Sequence, residues 1–305
     1  MNRIHIFITL LIALGLQGCY RSQKNGNHKI HDLELVAVLP VDMPAALEPS
    51  GLTEVNGELF TVADKDNQTI YRVDVDADRA SLVPAIRFDA PRHWGLLDWE
   101  GITSDESGNF FLISEKLGRL YKVTPEGKGD WISPDLREEA RALGLFRKSN
   151  AGFEGIARIG ENHFIGAAER EPRGLVEFQI NGDSVASSPQ EMDHSLYSNR
   201  LNFLRIPDFS GMDSDNGRIY ALFRNAHLLV RLQKTQSGFE EAEAWSYQHI
   251  ETDPKWAFIE QTFGQAEGLV VLGRDVFLIL DNNLGGRQSD PGDGRPMFIH
   301  ARMPN

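Results

Sequence analysis

The sequence has a single cysteine, Cys19, and lacks the motifs that define several common enzyme classes. One cysteine excludes an internal disulfide bond and any zinc site built on pairs of cysteines. The dinucleotide fingerprint, the phosphate-binding loop and the Gly-x-Ser-x-Gly elbow of serine esterases are absent. Positive charge is also in deficit, because the net charge is −13. This acidic balance argues against nucleic acid or anionic lipid as a partner.

Long apolar runs are equally scarce, and the clearest one lies near the N-terminus. Arg3 precedes the run Ile4–Leu16, which has the charge and length of a secretory signal and is too short to span a bilayer comfortably. The run ends in Leu16-Gln17-Gly18-Cys19, which resembles the lipobox of bacterial lipoproteins. The resemblance implies a signal peptide over residues 1–18, a lipid on Cys19 and a polar tether over residues 19–31. It also implies attachment to the outer membrane, facing the periplasm; an ordinary cleaved signal with an incidental cysteine is the alternative.

What the sequence does contain is a motif that recurs five times, in which a small or acidic residue precedes glycine and a large apolar residue. The five copies are Ser50-Gly51-Leu52, Glu100-Gly101-Ile102, Glu154-Gly155-Ile156, Ser210-Gly211-Met212 and Glu267-Gly268-Leu269. Their glycines lie 50, 54, 56 and 57 residues apart. Self-similarity at a period near 50 is typical of a β-propeller.

Each repeat contains about four strand-like runs separated by Gly, Asn and Asp, except the last, which has three. A spare alternating run, Leu33–Leu39, precedes the first repeat and can pair with Met297–Arg302 to complete the last one. Closing the ring in this way removes exposed sheet edges. We therefore expect an all-β fold, a single propeller over residues 32–305 with five four-stranded blades; six blades are the alternative. Within a long insert, residues 135–146 are expected to form a short amphipathic helix.

A second signature follows each motif glycine after 13 or 14 residues, at the end of the second strand of the repeat. Because the first strand starts and the second strand ends at the same end of the channel, the two signatures are expected to form two rings there. The ring positions are Ser50, Glu100, Glu154, Ser210 and Glu267, and then Asp64, Glu115, Glu169, Arg224 and Asp281. Seven of these ten residues are carboxylates. The long loops also concentrate at this end, where loops on a rigid scaffold usually carry function.

Carboxylates that converge in a confined space repel one another and raise each other's pKa unless a cation is present. Oxygen ligands without histidine or cysteine suit calcium better than zinc. The sequence therefore predicts a calcium site at the channel mouth, with ligands drawn from Glu100, Glu154, Glu267, Asp64, Glu115, Glu169 and Asp281. Structural hydrogen bonds with paired lysines and arginines, or direct contacts with a substrate, are the alternatives. The segment 213–217 (Asp-Ser-Asp-Asn-Gly) is expected to be a tight turn on the opposite face.

The motifs in order resemble those of the SdiA-regulated and phytase-like group of bacterial β-propellers. The residues that carry the resemblance are Pro49-Ser50-Gly51-Leu52, Asp98-Trp99-Glu100-Gly101-Ile102, Ile113-Ser114-Glu115, Phe153-Glu154-Gly155-Ile156-Ala157, Asp208-Phe209-Ser210-Gly211, Glu267-Gly268-Leu269 and Asp281-Asn282. The match extends over about residues 33–304. It implies a calcium-binding propeller that hydrolyses phosphoesters or esters.

Two classes of function remain open at this point. In a hydrolase, calcium would polarise a phosphoryl or carbonyl oxygen, and Lys65, Lys116, Arg170 or Arg224 could hold a small anionic substrate. The catalytic candidates are His93 and His227 as general bases, together with Arg224 and Lys116. In a non-catalytic binding or scaffold lipoprotein, the same face would recruit an envelope protein, with Trp94, Trp99 and Trp256 as contact residues. A purely structural role is the third possibility.

Overall fold

The computed structural model describes residues 28–90, 95, 97–182, 184–202, 204–259 and 262–305. The expected signal peptide, Cys19, most of the tether, His93 and Trp94 lie outside the described residues. Within the described part of the chain, no helix has the length and apolar character needed to cross a membrane.

Strands dominate the described residues, and helices are short. In chain order the strands are β1 (Ile30–Asp32), β2 (Glu34–Asp42), β3 (Pro49–Val55), β4 (Glu58–Ala63), β5 (Asp66–Val75), β6 (Ala80–Arg87), β7 (Trp99–Ser104), β8 (Phe110–Ser114), β9 (Arg119–Val123), β10 (Gly129–Trp131), β11 (Phe153–Gly160), β12 (His163–Ala168), β13 (Gly174–Asn181), β14 (Ser184–Glu191), β15 (Gly211–Asp215), β16 (Arg218–Phe223), β17 (Leu228–Thr235), β18 (Gly238–Ser246), β19 (Ala266–Leu272), β20 (Asp275–Leu280) and β21 (Met297–Arg302). The helices are α1 (Glu138–Ala142) and α2 (Gln248–Glu251), with 3₁₀ turns at Ser198–Arg200 and Arg224–Ala226.

The strands form antiparallel four-stranded units in sequence order. Strands β3 to β6, β7 to β10, β11 to β14 and β15 to β18 each make one unit, and β19 to β21 make another with β2 as its outer strand. Strand β1 adds to the outer edge of the β15–β18 unit, parallel to β18. Strand β2 also touches β6 in parallel, which joins two units into one continuous sheet. The prediction of an all-β propeller is confirmed.

The N-terminal strand closes the last unit as expected. Strand β2 lies antiparallel to β21, with Glu34 opposite Arg302 and Pro40 opposite Met297. Just before it, Leu33 is 1% exposed, and its backbone N–H donates to the carbonyl of Ser246 at 2.9 Å. The N-terminal segment therefore pairs with the outer strands of two neighbouring units, β1 with β18 and β2 with β21. The sequence pattern predicted the pairing of β2 but not that of β1.

The motif glycines explain how the inner strands approach each other. A Cβ atom on Gly101 would lie 3.0 Å from the Cα of Gly155, and one on Gly155 would lie 3.0 Å from the Cα of Gly211. A Cβ on Gly268 would lie 2.7 Å from the carbonyl carbon of Gly51, which returns the series to the first repeat. Accordingly β3, β7, β11, β15 and β19 contact each other in a closed cycle. The motif requires glycine because backbones, not side chains, meet at the axis.

Aromatic and aliphatic side chains fill the space between neighbouring units. Trp99 is fully buried and packs against Phe88, Tyr121 and Trp131 with ring centroids about 6 Å apart. It is therefore a core residue and not part of a surface for a partner. Trp256 is partly buried, with the Lys255 ammonium 4.0 Å from its ring centroid.

The predicted helix over residues 135–146 is shorter than expected. Helix α1 contains only Glu138–Ala142, because the Asp135 carboxylate accepts the backbone N–H of Arg137 and forms a turn instead of a helical start. At the other end Gly144 has φ 90°, which the helix cannot continue through.

Candidate functional site at the channel mouth

The two predicted rings lie at one end of the channel because of strand register. Trp99 pairs with Ser114, Phe153 with Ala168, and Ala266 with Leu280, so the start of each inner strand faces the end of the next strand. Residues Glu100, Glu154 and Glu267 each follow one of these starts, and Glu115, Glu169 and Asp281 each follow one of these ends.

A β-bulge turns the three glutamates away from regular pairing. The register shifts between Trp99 and Gly101, between Phe153 and Gly155, and between Ala266 and Gly268. The residue skipped in each case is Glu100, Glu154 or Glu267. Bulges commonly re-aim a side chain next to a functional site. The glutamate before the glycine is therefore the residue that the local backbone sets apart.

Arg224 pairs with the carboxylates on one side of the mouth. Its guanidinium donates to Glu169 Oε1 at 2.9 Å and to Asp208 Oδ2 at 3.2 Å, and it also contacts Glu267 Oε1. Asp208 is fully buried, and its other oxygen accepts the backbone N–H of Asn225 at 2.9 Å. Arg224 is thus bound by three carboxylates, and its role as an anion-binding or catalytic residue stays a prediction.

A second group of acids lies on the other side, and we name it the Asp64 cluster. Carboxylate oxygens of Asp64, Asp98 and Glu100 all lie within 4.8 Å of one another. Asp98 was not among the predicted ligands, although it lies two residues before Glu100. It adopts a left-handed backbone with φ 48°, and its carbonyl accepts the N–H of Glu115 at 2.8 Å, which fixes this turn against the end of β8.

The electrostatics of the Asp64 cluster are unfavourable for three ionised acids. Burial raises the pKa of Asp64 to about 7, and its hydrogen bond to Lys65 opposes the rise. Burial also raises the pKa of Glu100 well above its ordinary value, and the carboxylates of Glu154 and Glu267 raise it further. Asp64 Oδ1 is buried and has no hydrogen-bond partner among the described residues. An added cation would satisfy this oxygen and lower all of these pKa values.

Three other ring residues make structural hydrogen bonds. Ser50 donates to the carbonyl of Trp99, and Ser210 donates to the carbonyl of Ala266 at 2.6 Å, so these hydroxyls tie neighbouring inner strands together. Glu115 Oε1 accepts the N–H of Gly152 at 3.0 Å. These three positions show the structural hydrogen bonding that the sequence left as an alternative.

Two further acids have pKa values near neutrality. Burial raises the pKa of Glu154 to about 7, with Arg224 opposing the rise and Glu115 adding to it. Burial raises the pKa of Asp281 to about 6, and its Oδ1 accepts the N–H of Asn283 at 2.8 Å. The sequence alone does not predict the size of these two pKa shifts, because each depends on how deeply the folded protein buries the end of the strand.

The predicted histidine base is not free. His227, a candidate general base, is 2% exposed, and its Nδ1 lies 2.8 Å from Glu251 Oε2. Its Nε2 lies 2.8 Å from Arg205 Nη1, which can only donate, so Nε2 accepts and Nδ1 donates. His227 therefore connects the loops around the mouth through Glu251 and Arg205. Of the predicted lysines, Lys65 bonds Asp64 at 2.5 Å and Glu48 at 2.6 Å, whereas Lys116 is exposed.

A cavity of about 650 Å³ adjoins the Arg224 side of the mouth. The residues that line it include the charged Arg224, Glu267 and Asp281 and the apolar Leu204, Phe258 and Phe263. Its volume lies in the range of small-molecule sites. The described loops thus provide a space next to the acids in which a ligand of modest size fits.

A second cavity of about 720 Å³ lies at the opposite end of the channel. Asp213 lines it, but its Oδ2 accepts the N–H of Val271 at 2.7 Å, which gives this half-buried carboxylate a structural role. A tight turn was predicted over residues 213–217; the turn contains only Asn216 and Gly217, with φ 49° and 74°, and residues 213–215 belong to β15. We therefore place the candidate site at the acidic end.

The architecture and the motif residues agree with the family assignment. The chain belongs to the SdiA-regulated family, whose model matches residues 48–275. That range contains the five inner strands and the Asp64 cluster. No curated protein matches the chain.

Comparison with solved structures finds similar chains at low sequence identity. Glutaminyl cyclase from Myxococcus xanthus is 12% identical, with a TM-score of 0.54 over 90% of this chain and 98% of that one. Aldose sugar dehydrogenase from Streptomyces coelicolor is 12% identical, with a TM-score of 0.49 over 89% of this chain and 98% of that one. Virginiamycin B lyase from Staphylococcus aureus is 10% identical, with a TM-score of 0.44 over 84% of this chain, and the match spans 66% of the lyase chain. At these identities the likeness concerns the fold alone.

Proposed function

We propose that the protein is a calcium-dependent hydrolase that cleaves a small ester or phosphoester at the acidic channel mouth. The observation that carries the proposal is the Asp64 cluster, in which three carboxylates converge and one buried oxygen has no partner among the described residues. An acidic cluster can instead be structural, as the Arg224 side shows. The difference between the two sides is therefore the main support.

The donor set of the Asp64 cluster suits calcium. Asp64, Asp98 and Glu100 offer only carboxylate oxygens, and hard oxygen ligands favour calcium over softer metals. In the described residues the basic group bonded to this cluster is Lys65, and it is shared with Glu48. When bound, calcium would supply a positive charge that polarises a phosphoryl or carbonyl oxygen.

The chain itself can supply the proton transfer. Glu154 has a pKa of about 7 and lies near enough to raise the pKa of Glu100. A carboxylate with a pKa near the working pH is suited to take a proton from an attacking water. We therefore assign Glu154 as the general base, in place of His227, and the cavity beside Arg224 as the space for the rest of the substrate.

The test is metal analysis of the purified protein followed by hydrolysis assays on ester and phosphoester panels, with calcium or with EDTA. We expect about one bound calcium and turnover that EDTA abolishes. The variant Asp98→Asn/Glu100→Gln should lose both, whereas Asp78→Asn, which removes an exposed carboxylate elsewhere, should lose neither. Absence of calcium at millimolar concentrations, or turnover that is insensitive to EDTA, would contradict the proposal. Binding of an envelope protein without any turnover would favour a scaffold lipoprotein instead.

We also propose that the domain is held at the outer membrane by a lipid on Cys19. This rests on the lipobox-like Leu16-Gln17-Gly18-Cys19. The segment that follows, β1, is attached to the outer edge of the β15–β18 unit.

A further inference from the structure

We infer that the cavity beside Arg224 binds a small amphiphile whose polar end is an ammonium group. The inference concerns which ligand binds there, and this part stands without calcium chemistry; the further step, that this ligand is the substrate, rests on the proposed function. The argument comes from two unlike groups of lining residues. We call them the apolar wall (Leu204, Phe258 and Phe263) and the polar wall (Asn225, Glu267, Asp281 and Asn282).

The apolar wall contains large apolar side chains that are exposed to solvent. Leu204 is 53% exposed and Phe263 is 48% exposed, and both line the cavity together with the buried Phe258. Ile259 is also 55% exposed in the same loop region. Clustered exposed apolar groups at the rim of a cavity mark a binding surface more often than scattered ones do.

This wall is held in place before any ligand binds. The Arg205 guanidinium donates to the carbonyl of Thr262 at 2.7 Å and to the carbonyl of Asn225 at 3.1 Å. Glu251 connects His227 to the same region, because its Oε1 accepts the N–H of Gln265 at 2.6 Å. A pre-formed wall loses little conformational entropy on binding, which favours small ligands of modest contact area.

Several polar groups in the cavity lining are acceptors without a donor among the described residues. Asn225 and Asn282 line the cavity, are 4% and 3% exposed, and each has an Oδ1 without a hydrogen-bond partner among the described residues. Glu267 Oε2 is in the same state. The amide of Asn282 cannot be reversed, since its Nδ2 donates to the carbonyls of Gly285 at 2.6 Å and Gly294 at 3.0 Å. Buried acceptors of this kind require donors from an occupant or from ordered water.

Charge selects among donor-bearing ligands. The arginines beside the cavity are already paired, Arg224 with three carboxylates and Arg170 with Glu169 and the carbonyl of Asn150. Asp281 adds a further carboxylate to the lining. An anionic ligand would therefore find no unpaired guanidinium on these two arginines, whereas an ammonium group supplies the donors that the unpartnered oxygens lack.

Three probes of similar size and different charge test the inference. Binding of 2-phenylethylammonium, 2-phenylethanol and 3-phenylpropanoate to the purified protein is measured by calorimetry, once with EDTA and once with calcium. We expect the ammonium compound to bind most tightly, the alcohol about tenfold more weakly and the carboxylate not measurably. Equal binding of the three, tighter binding of the carboxylate, or no binding at millimolar concentration would overturn the inference; the last result would leave ordered water as the occupant.

Variants locate the site. Phe263→Ser should weaken binding of the ammonium probe about tenfold by removing apolar contact area, and Glu267→Gln should narrow the gap between ammonium and alcohol. Val75→Ser, which changes an apolar side chain that is 50% exposed elsewhere, should have no effect. An unchanged affinity in Phe263→Ser would contradict this placement. Ammonium binding in EDTA by a protein that takes up no calcium would support the inference while rejecting the proposed hydrolase.

Discussion

Arg224 Nη2 donates to Glu169 Oε1 at 2.9 Å and so connects the ends of β16 and β12 across the channel mouth. The same guanidinium bonds Asp208 and Glu267, so one cation is shared among carboxylates from three different segments. The Asp64 cluster has no comparable arginine among the described residues. The acids around Arg224 therefore have a structural role, whereas the Asp64 cluster is suited to a bound metal ion.

Arg224→Met should destabilise the protein strongly. Replacing this largely buried arginine with a neutral side chain removes the cation that pairs with Asp208 and Glu267, and leaves Glu169 with Arg170 alone. Breaking a buried ion pair costs about 3–5 kcal/mol in the free energy of unfolding. Urea denaturation at pH 7.5 measures the loss. Arg87→Met, at an exposed position, serves as the control and should change stability by less than about 0.5 kcal/mol. A loss for Arg224→Met no larger than that of the control would mean that the guanidinium does not hold these acids together.

Gly155→Ala should also be strongly destabilising, for a steric reason. Its Cβ would lie 2.8 Å from the backbone nitrogen of Met212 and 3.0 Å from the Cα of Gly211, so the inner strands would have to separate. Overpacking against backbone costs about 1–3 kcal/mol or more. Gly160→Ala, in the same strand, is a matched control because its nearest neighbour would be the His163 Cβ at 3.4 Å. Equal melting temperatures for the two variants would contradict close approach at the axis.

The repeat pattern predicted the fold because the motif glycines and the missing last strand are properties of the chain itself. Leu33–Leu39 could be assigned to the final unit by counting strands. The function of individual acids could not be predicted in this way. Asp98 and Asp208 join the site through turns, and the three carboxylates around Arg224 come together only when segments far apart in sequence fold. The contacts of His227 could not be predicted either, because its partners, Glu251 and Arg205, are more than twenty positions away.

Cys19→Ser should release the protein from the membrane fraction. The single cysteine is the only residue available for the lipid implied by the lipobox-like sequence, and a lipid chain stabilises membrane attachment by roughly 0.8 kcal/mol per buried CH₂. Fractionation of cells followed by immunoblotting measures the distribution. Asn25→Ser in the tether is the control and should leave the protein with the membranes. A Cys19→Ser protein that stays as membrane-bound as the unmodified sequence would rule out the lipoprotein assignment.

Without calcium, the protein should become less stable as the pH rises from about 4.5 to about 7. The pKa of Glu154 is raised by burial from its ordinary value of 4.5 to about 7, so the folded state holds a proton that the unfolded state releases in this range. The stability linked to that proton is present below pH 4.5 and is lost as the pH passes 7, and it amounts to roughly 3 kcal/mol for one such group. Urea denaturation in EDTA between pH 4.5 and pH 8 measures the slope. Glu154→Gln should flatten it, and a slope that is unchanged in this variant would place the titration on other groups.

Glu100→Gln should have opposite effects on stability and on calcium binding. Burial and the neighbouring carboxylates raise the pKa of Glu100 well above its usual range, so the neutral amide should stabilise the metal-free protein at pH 8. A ligand that binds only the folded state at 100 times its dissociation constant adds about 2.7 kcal/mol, and loss of a calcium ligand should remove most of this gain. Melting temperatures in EDTA and in millimolar calcium test both halves. The unmodified protein should melt at a higher temperature in calcium, whereas Glu100→Gln should melt at nearly the same temperature in both solutions. A variant that is less stable in EDTA and still responds fully to calcium would show that Glu100 is held by structural hydrogen bonds and is not a ligand.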